Sequence, residues 1–283
     1  MLFAFAALLL HRKSNLIIEC GNIYAALLPW FLSHFIKPLP YRVYTYGTEI
    51  IALKKPSAKT RLLRSALKKA QTIYALGEYT SSLLRNIGVS KSIEIVPPKI
   101  TLPDRQHATS LGSNRFRILA VGRLVDHKGY DILLQAVARL PENCDWELIL
   151  VGDGPQLGHL MNIAHSYHCK NRVEFKRRIP DHELTEEYRK AAAFVLPSRE
   201  TPHGTEGFGI VLLEAMAYNV PIIASRTGGI VEVLDKGACG ILTEPGNVFQ
   251  LTEALAKLWS NNAYGKALAQ TAYQHLSTHY AWK

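Results

Sequence analysis

From residue 116 onward the chain repeats one unit: a short apolar run, a turn, then an amphipathic segment. The apolar runs are FRILAVG, WELILVG, RVEF, AFVLPS, PIIAS and GILTE. Between and after them lie DILLQAVARL, PQLGHLMNIAHSYH, DHELTEEYRKA, FGIVLLEAMA, GGIVEVLD and VFQLTEALAKLW. The runs have strand length and the intervening segments have helical periodicity. Such an alternation predicts a parallel sheet with right-handed crossovers and helices on both faces, and it puts ligand chemistry in the loops at the carboxyl ends of the strands.

Upstream, NLIIEC, YRVYTYG, TIYALG and SIEIVP read as strands, and IYAALLPWFLSHF and YTSSLLRNIG as helices. The stretch from Pro97 to Asn114 holds three prolines and a Gly-Ser-Asn cluster, which reads as a linker. Two α/β domains are expected, 1–112 and 113–283, the first of them short for a complete doubly wound domain.

Composition narrows the class. Hydrophobic content of 48% with 20% charged residues is globular, and four scattered cysteines show no metal-ligand spacing and no disulfide framework. A reducing compartment fits. The opening MLFAFAALLLHRK has its basic residues after the apolar run, so it reads as a buried helix rather than a leader, and it is too short to span a bilayer. A soluble chain is expected.

The net charge of +10 is uneven. From Ile50 to Gly77 there are seven basic residues, Lys54, Lys55, Lys59, Arg61, Arg64, Lys68 and Lys69, and no acids. Leu62, Leu63, Ala66 and Leu67 interleave at helical intervals, giving a basic amphipathic helix suited to an anionic membrane surface or simply to solvation. No recognition module or aromatic interleaving accompanies the charge, so nucleic acid is not an expected partner.

Three loops carry candidate chemistry. In VGRLVDHKGYD a strand ends at Gly122 and a helix begins near Tyr130, with Arg123 and Lys128 between them. Two cations at a strand's carboxyl edge, beside free helical N–H groups, suit a diphosphate; they also read as ordinary surface charges. In SRETPHGTEGFGIVLLEAMA, Glu206 stands ahead of an apolar helix and Glu214 lies inside it. Gly204, Gly207 and Gly209 leave the backbone uncovered for a phosphate or sugar, and the two acids face different parts of one ligand. The bland alternatives are a helix-dipole carboxylate and a solvated one, the second weakened by the apolar run around Glu214. In GDGPQLG, Gly152, Gly154 and Gly158 with Glu174 downstream imitate a dinucleotide fingerprint, which would make the chain an NAD-linked oxidoreductase. That motif sits in the second strand-helix unit of its domain, where a fingerprint is out of place. Gly228 and Gly229, with Glu232, mark another strand-to-helix turn, explained by close packing, with proximity to a donor ligand as the alternative. Among eleven histidines none shows zinc-like pairing, and His127 and His203 stand out only because they lie in the two ligand loops.

VGRLVDHKGYDILLQA, ILVGDGP, FVLPSRETPHGTEGFGIVLLEAMAYNVPIIASRTGGIVEVL and GILTEPGN occur in an order and spacing that resembles the retaining family-4 glycosyltransferases, whose architecture is GT-B. The resemblance covers residues 115 to 283. It implies two Rossmann-like doubly wound domains, the N-terminal one incomplete, and transfer of a sugar from a nucleoside diphosphate donor with retention of configuration. It implies that Arg123 and Lys128 hold the donor diphosphate, that Glu206 lies beside the donor sugar, and that Glu214 holds the ribose hydroxyls. Gly122, Gly207, Phe208, Gly209 and Ile210 complete the expected donor-side set. No metal and no cofactor beyond a UDP-sugar or GDP-sugar substrate is implied, and the acceptor is a glycan or lipid-linked molecule at the cytoplasmic membrane face. In YTYGTEI, Tyr46 and Gly47 stand where the family often has a His-Gly pair. That departure, with the missing glycine-rich first loop and the short end at YAWK, raises the alternative of a catalytically silent nucleotide-sugar binder shortened at both ends.

Overall fold

The computed structural model describes residues 17–35, 39–90, 92–103, 115–202 and 204–282. The opening segment Met1–Lys13 and His203 lie outside these residues. The chain divides into two compact units, Met1–Val96 and Pro97–Lys283. Pro97 to Pro103 group with the second unit, and the 112/113 boundary expected from sequence falls outside the described residues.

In the first unit the order is β1 (Ile18–Cys20), α1 (Leu27–Leu32), β2 (Tyr41–Thr45), α2 (Thr48–Ala52), α3 (Ala58–Lys69), β3 (Thr72–Ala75), α4 (Glu78–Asn86) and β4 (Ile93–Ile95). Among the described residues the strands form one parallel sheet in the order β1-β2-β3-β4. Tyr41, Val43 and Thr45 are buried in alternation along β2, and Val43 lies opposite Ile73. Both join Ile50, Leu63, Leu67 and Leu84 in the core. The helix expected over 23–35 is regular only from Leu27 to Leu32, with turns on either side. Pro29 is the reason: it lacks an N–H and its ring crowds the carbonyl four residues back, so it fits only the first turn. The basic helix α3 opens with a reciprocal cap, Ser57 Oγ accepting from Thr60 N at 3.1 Å and Thr60 Oγ1 accepting from Ser57 N at 2.9 Å. Its apolar face, Leu63, Ala66 and Leu67, is buried, and Arg64 is turned inward to donate from Nε to Leu53 O at 3.1 Å. The other six cations of the run are exposed.

In the second unit the order is β5 (Phe116–Val121), α5 (Tyr130–Val137), β6 (Trp146–Val151), α6 (Leu157–Ser166), β7 (Val173–Lys176), α7 (Asp181–Lys190), β8 (Ala193–Leu196), α8 (Ile210–Ala217), β9 (Ile222–Ser225), α9 (Ile230–Val233), β10 (Ile241–Thr243), α10 (Val248–Ser260) and α11 (Asn262–His279). All strand pairs are parallel, in the order β10-β9-β8-β5-β6-β7. Alternate residues feed opposite faces. Ile118 and Ala120 of β5 and Leu148 and Leu150 of β6 pack with Leu133, Leu160 and Leu255 of α5, α6 and α10. On the other face Phe194 of β8 meets the ring of Tyr188 on α7, and α8 packs on α11. Strand order reverses between β5 and β8, so the loops that leave their carboxyl ends run to opposite faces of the sheet, the position at which open α/β sheets form a crevice.

Two further features of the core bear on stability. Glu187 of α7 is only 4% exposed. It accepts from Arg117 at 2.6 Å and from Lys176 at 3.0 Å, and Arg117 also donates to Glu147 at 2.5 Å. All four cysteines are free thiols and buried, and burial pushes those of Cys144 and Cys239 up to about 11. Among the described residues no helix is long and apolar enough to cross a membrane.

Candidate functional site

The crevice between β5 and β8 is built from the two loops in which the sequence places its acids and cations. After β5 the chain passes through Gly122, whose φ of +148° and lack of a side chain bring its backbone against the Tyr130 hydroxyl. Arg123 follows, exposed at the strand edge. One turn of 3-10 helix, Asp126–Lys128, ends at left-handed Gly129 and delivers Lys128 inward. After β8 the chain runs through buried Ser198 to Glu206, so that Lys128 Nζ lies 2.5 Å from Glu206 Oε2. Both side chains are about one-eighth exposed, at 13% and 12%. Ser198 Oγ donates to the same carboxylate oxygen at 3.4 Å.

These loops are tied to one another. Arg199 N donates to His127 O at 2.8 Å, and the Arg199 guanidinium donates to Asp131 at 3.0 Å and to Asp126. The His127 ring lies against Gly204, and burial with the neighbouring Lys128 charge lowers its pKa. A third loop presses from behind: Gly229 N donates to Glu206 O at 3.0 Å, and a Cβ on Gly228 would stand 2.0 Å from that oxygen. Those two glycines therefore serve packing around Glu206.

Beyond Glu206, Gly207 and Phe208 are buried, with the Phe208 ring edge-on to Tyr280 at 5.7 Å. Gly209, left-handed at φ 88°, turns the chain into α8, whose first turn receives no side-chain cap. Ile210 is 48% exposed, and Gly209 at the N-cap gives the first-turn amides no side-chain cap. Glu214 lies one turn on, and Tyr188 Oη donates to its Oε2 at 2.6 Å. Burial holds the Glu214 carboxyl above the ordinary range despite that bond. The structure thus brings Gly122, Lys128, Glu206 and the start of α8 to one strand edge, and Glu214 to the flank beneath it.

The dinucleotide-like motif has another explanation. Cβ atoms on Gly152 and Gly154 would stand 1.9 Å from Gly122 O and 2.4 Å from Leu124 O, while Gly158 has open space. Gln156 N also donates to Leu124 O at 3.0 Å. The first two glycines let the loop after β6 dock against the loop after β5, which supports Arg123 and Lys128 from below.

Sequence reasoning missed Ser198, Arg199, Tyr130 and Tyr188. Ser198 ends a strand run and Arg199 follows it at the same sheet edge, a signal available in the sequence. Tyr130 is different: it is 2% exposed and its hydroxyl has no hydrogen-bond partner. Among the described residues no group of three or more His, Cys, Asp or Glu could hold a metal ion. In the first unit, Tyr46 is 45% exposed and its backbone N–H donates to Glu49 at 2.5 Å.

Residues 104–275, more than half of the chain, match the model of the family "Glycosyl transferases group 1", and the chain belongs to that family. It is 30% identical over 253 residues to the GDP-mannose-dependent alpha-(1-6)-phosphatidylinositol monomannoside mannosyltransferase of Mycolicibacterium smegmatis. That match covers 84% of this chain and 66% of the relative, so the chain spans just under two-thirds of the relative's length. Among solved structures it resembles sucrose-phosphate synthase of Thermosynechococcus elongatus, with a TM-score of 0.82 at 21% identity over 99% of this chain and 73% of that one. It also resembles Anabaena HepE, solved with UDP-glucose, with a TM-score of 0.81 at 21% identity over 94% of this chain and 74% of that one. These likenesses and the two parallel, helix-flanked sheets define the fold as GT-B with Rossmann-like units.

Proposed function

We infer that the chain is a retaining glycosyltransferase of the family-4 type, moving a hexosyl group from a nucleoside diphosphate sugar to a glycan or lipid-linked acceptor. The observation that carries this reading is the Lys128–Glu206 ion pair at the strand-order reversal, 2.5 Å long and flanked by an uncapped helix start. Bond cleavage in such a donor leaves negative charge on the terminal phosphate oxygen and positive charge at the anomeric carbon. Arg123 and Lys128 supply cations for the first, and the Glu206 carboxylate, released from Lys128, opposes the second. The Gly122 backbone and the amides of Gly207, Phe208, Gly209 and Ile210 approach the diphosphate and sugar. Glu214 accepts the ribose hydroxyls. In this reading the two cations neutralise the leaving group, and no metal ion is required.

The mannosyltransferase relative is named for GDP-mannose and HepE was solved with UDP-glucose, so both nucleotide classes are donors to test. The reading places the protein at the cytoplasmic face of a membrane, where lipid-linked acceptors are assembled. Calorimetric titration with UDP and with GDP, on the wild type and on Lys128→Ala, tests the donor site. Binding of one nucleotide that weakens with the substitution is expected; an affinity unmoved by the substitution, or no binding to either, would sink the assignment.

A second reading, a silent nucleotide-sugar binder, is favoured by Tyr46, which presents a phenol where the resemblance calls for an imidazole. It requires donor binding without turnover. Sugar release or transfer by the wild-type chain, measured with the donor whose nucleotide binds, would eliminate it.

A further inference from the structure

Tyr24, Leu28, Phe31 and Phe35 fall at intervals of four, three and four residues, the spacing of one helical face. All four point outward, exposed by 47%, 41%, 53% and 71%. A core helix would turn such a stripe inward; here the inward side is taken by Ile23, Ala26 and Leu32. The Phe31 and Phe35 rings meet at 4.8 Å between centroids, so these two form one apolar surface rather than scattered side chains.

This face borders the basic helix. α1 packs on α3, and Lys59 Nζ sits 4.9 Å over the Tyr24 ring. Lys69 Nζ lies 3.1 Å from His34 Nε2, in the turn that leads to Phe35. On α3 itself Leu62 is 46% exposed, with exposed Lys59 and Arg61 on the same helix and exposed Lys55 in the bend before it. Aromatic rings rimmed by cations, with no carboxylate anywhere from Ile50 to Gly77, match one environment: rings at the level of lipid headgroups, ammonium and guanidinium groups on phosphates.

We propose that the Tyr24–Leu28–Phe31–Phe35 stripe and the exposed cations of α3 and of the bend before it form a docking surface for an anionic lipid bilayer, the rings entering the interface and the cations binding headgroup phosphates. The proposal rests on the first unit alone and stands apart from the donor-site reading. Charge complementarity selects the bilayer, because a second copy of the same face would bring cation against cation. The two components act together: apolar burial supplies affinity at any ionic strength, and the cations add selectivity for anionic lipid that salt screens.

The test is vesicle co-sedimentation of the full chain with phosphatidylglycerol-containing and pure phosphatidylcholine vesicles, at low and high salt. Wild type is compared with Phe31→Ser/Phe35→Ser and with Lys55→Glu/Arg61→Glu, all at exposed positions, with circular dichroism as the check of fold. Expected is binding to anionic vesicles that weakens by at least about tenfold in each double variant. It should fall with salt in the wild type, and less steeply in the charge variant. Light scattering is run in parallel. Failure to bind either vesicle, or wild-type binding by both double variants, overturns the proposal. So does a wild-type dimer that Phe31→Ser/Phe35→Ser disperses without any vesicle binding, which would assign the face to a second copy. UDP and GDP titration of Phe31→Ser/Phe35→Ser should match wild type, which separates this surface from the donor site.

Discussion

Lys128 Nζ and Glu206 Oε2 meet at 2.5 Å although 78 residues separate them in the chain. Each residue is therefore the other's counter-ion before any ligand arrives. A diphosphate must draw Lys128 away from Glu206, so Glu206→Gln should bind UDP or GDP at least as tightly as wild type while abolishing sugar transfer. Lys128→Ala should lose about tenfold or more in nucleotide affinity, the scale of a charge-assisted hydrogen bond. Calorimetry on the two variants checks both directions. Weaker binding by Glu206→Gln would contradict this competition.

Tyr130 carries a hydroxyl with no hydrogen-bond partner in a side chain that is 2% exposed. Removing an unsatisfied buried polar group without changing shape should stabilise the fold. Tyr130→Phe is expected to gain about 1 kcal/mol in urea denaturation. A loss of similar size would mean that the hydroxyl is bonded in solution, for example through water.

Glu187 tests the charge network behind the sheet. Burial raises its pKa, but hydrogen bonds and charge from Arg117 and Lys176 outweigh that, and the folded value lies below the ordinary 4.5. A depressed carboxyl adds stability above its unfolded pKa and loses that contribution as pH falls through the folded pKa. Glu187→Gln should therefore cost about 2 kcal/mol near neutral pH, with the gap to wild type narrowing as pH drops below 4.5. Denaturation curves at pH 7, 5 and 3 would show it; a gap independent of pH would assign the cost to packing instead.

Gly228 is left-handed, at φ 55°, and its Cα faces Glu206 O so closely that a Cβ would stand 2.0 Å away. The oxygen belongs to backbone and cannot swing aside. Gly228→Ala should shift Glu206 and cut nucleotide affinity about tenfold, with a stability loss of about 1–3 kcal/mol. Thermal unfolding and calorimetry on one preparation separate the two effects.

Much of the second unit was legible because its loops and its strands are chemically distinct in the sequence. All six apolar runs became strands, and the central β8, buried at every position, is apolar throughout as a parallel strand covered on both faces must be. Order along the sheet was not legible: nothing local says that β8 rather than β7 pairs with β5, yet that pairing brings Glu206 to Lys128. Glycine spacing by itself was ambiguous at Gly152 and Gly154, where close approach to backbone looks the same in sequence as close approach to a phosphate, and position in the second strand-helix unit was what argued against a fingerprint. The expected helix GGIVEVLD shrank to Ile230–Val233, because Asp235 and Lys236 adopt positive φ and end it. In the first unit the period of IYAALLPWFLSHF was visible, but period alone does not tell which of two apolar faces turns outward.

The four thiols are all buried, and those of Cys144 and Cys239 are held to about 11, so at neutral pH the folded chain offers no thiolate to an aqueous reagent. A cysteine introduced at an exposed position such as Phe35 would then react alone. The native protein comes with a blank chemical background on which a single spin label or fluorophore can be written without first removing any natural residue.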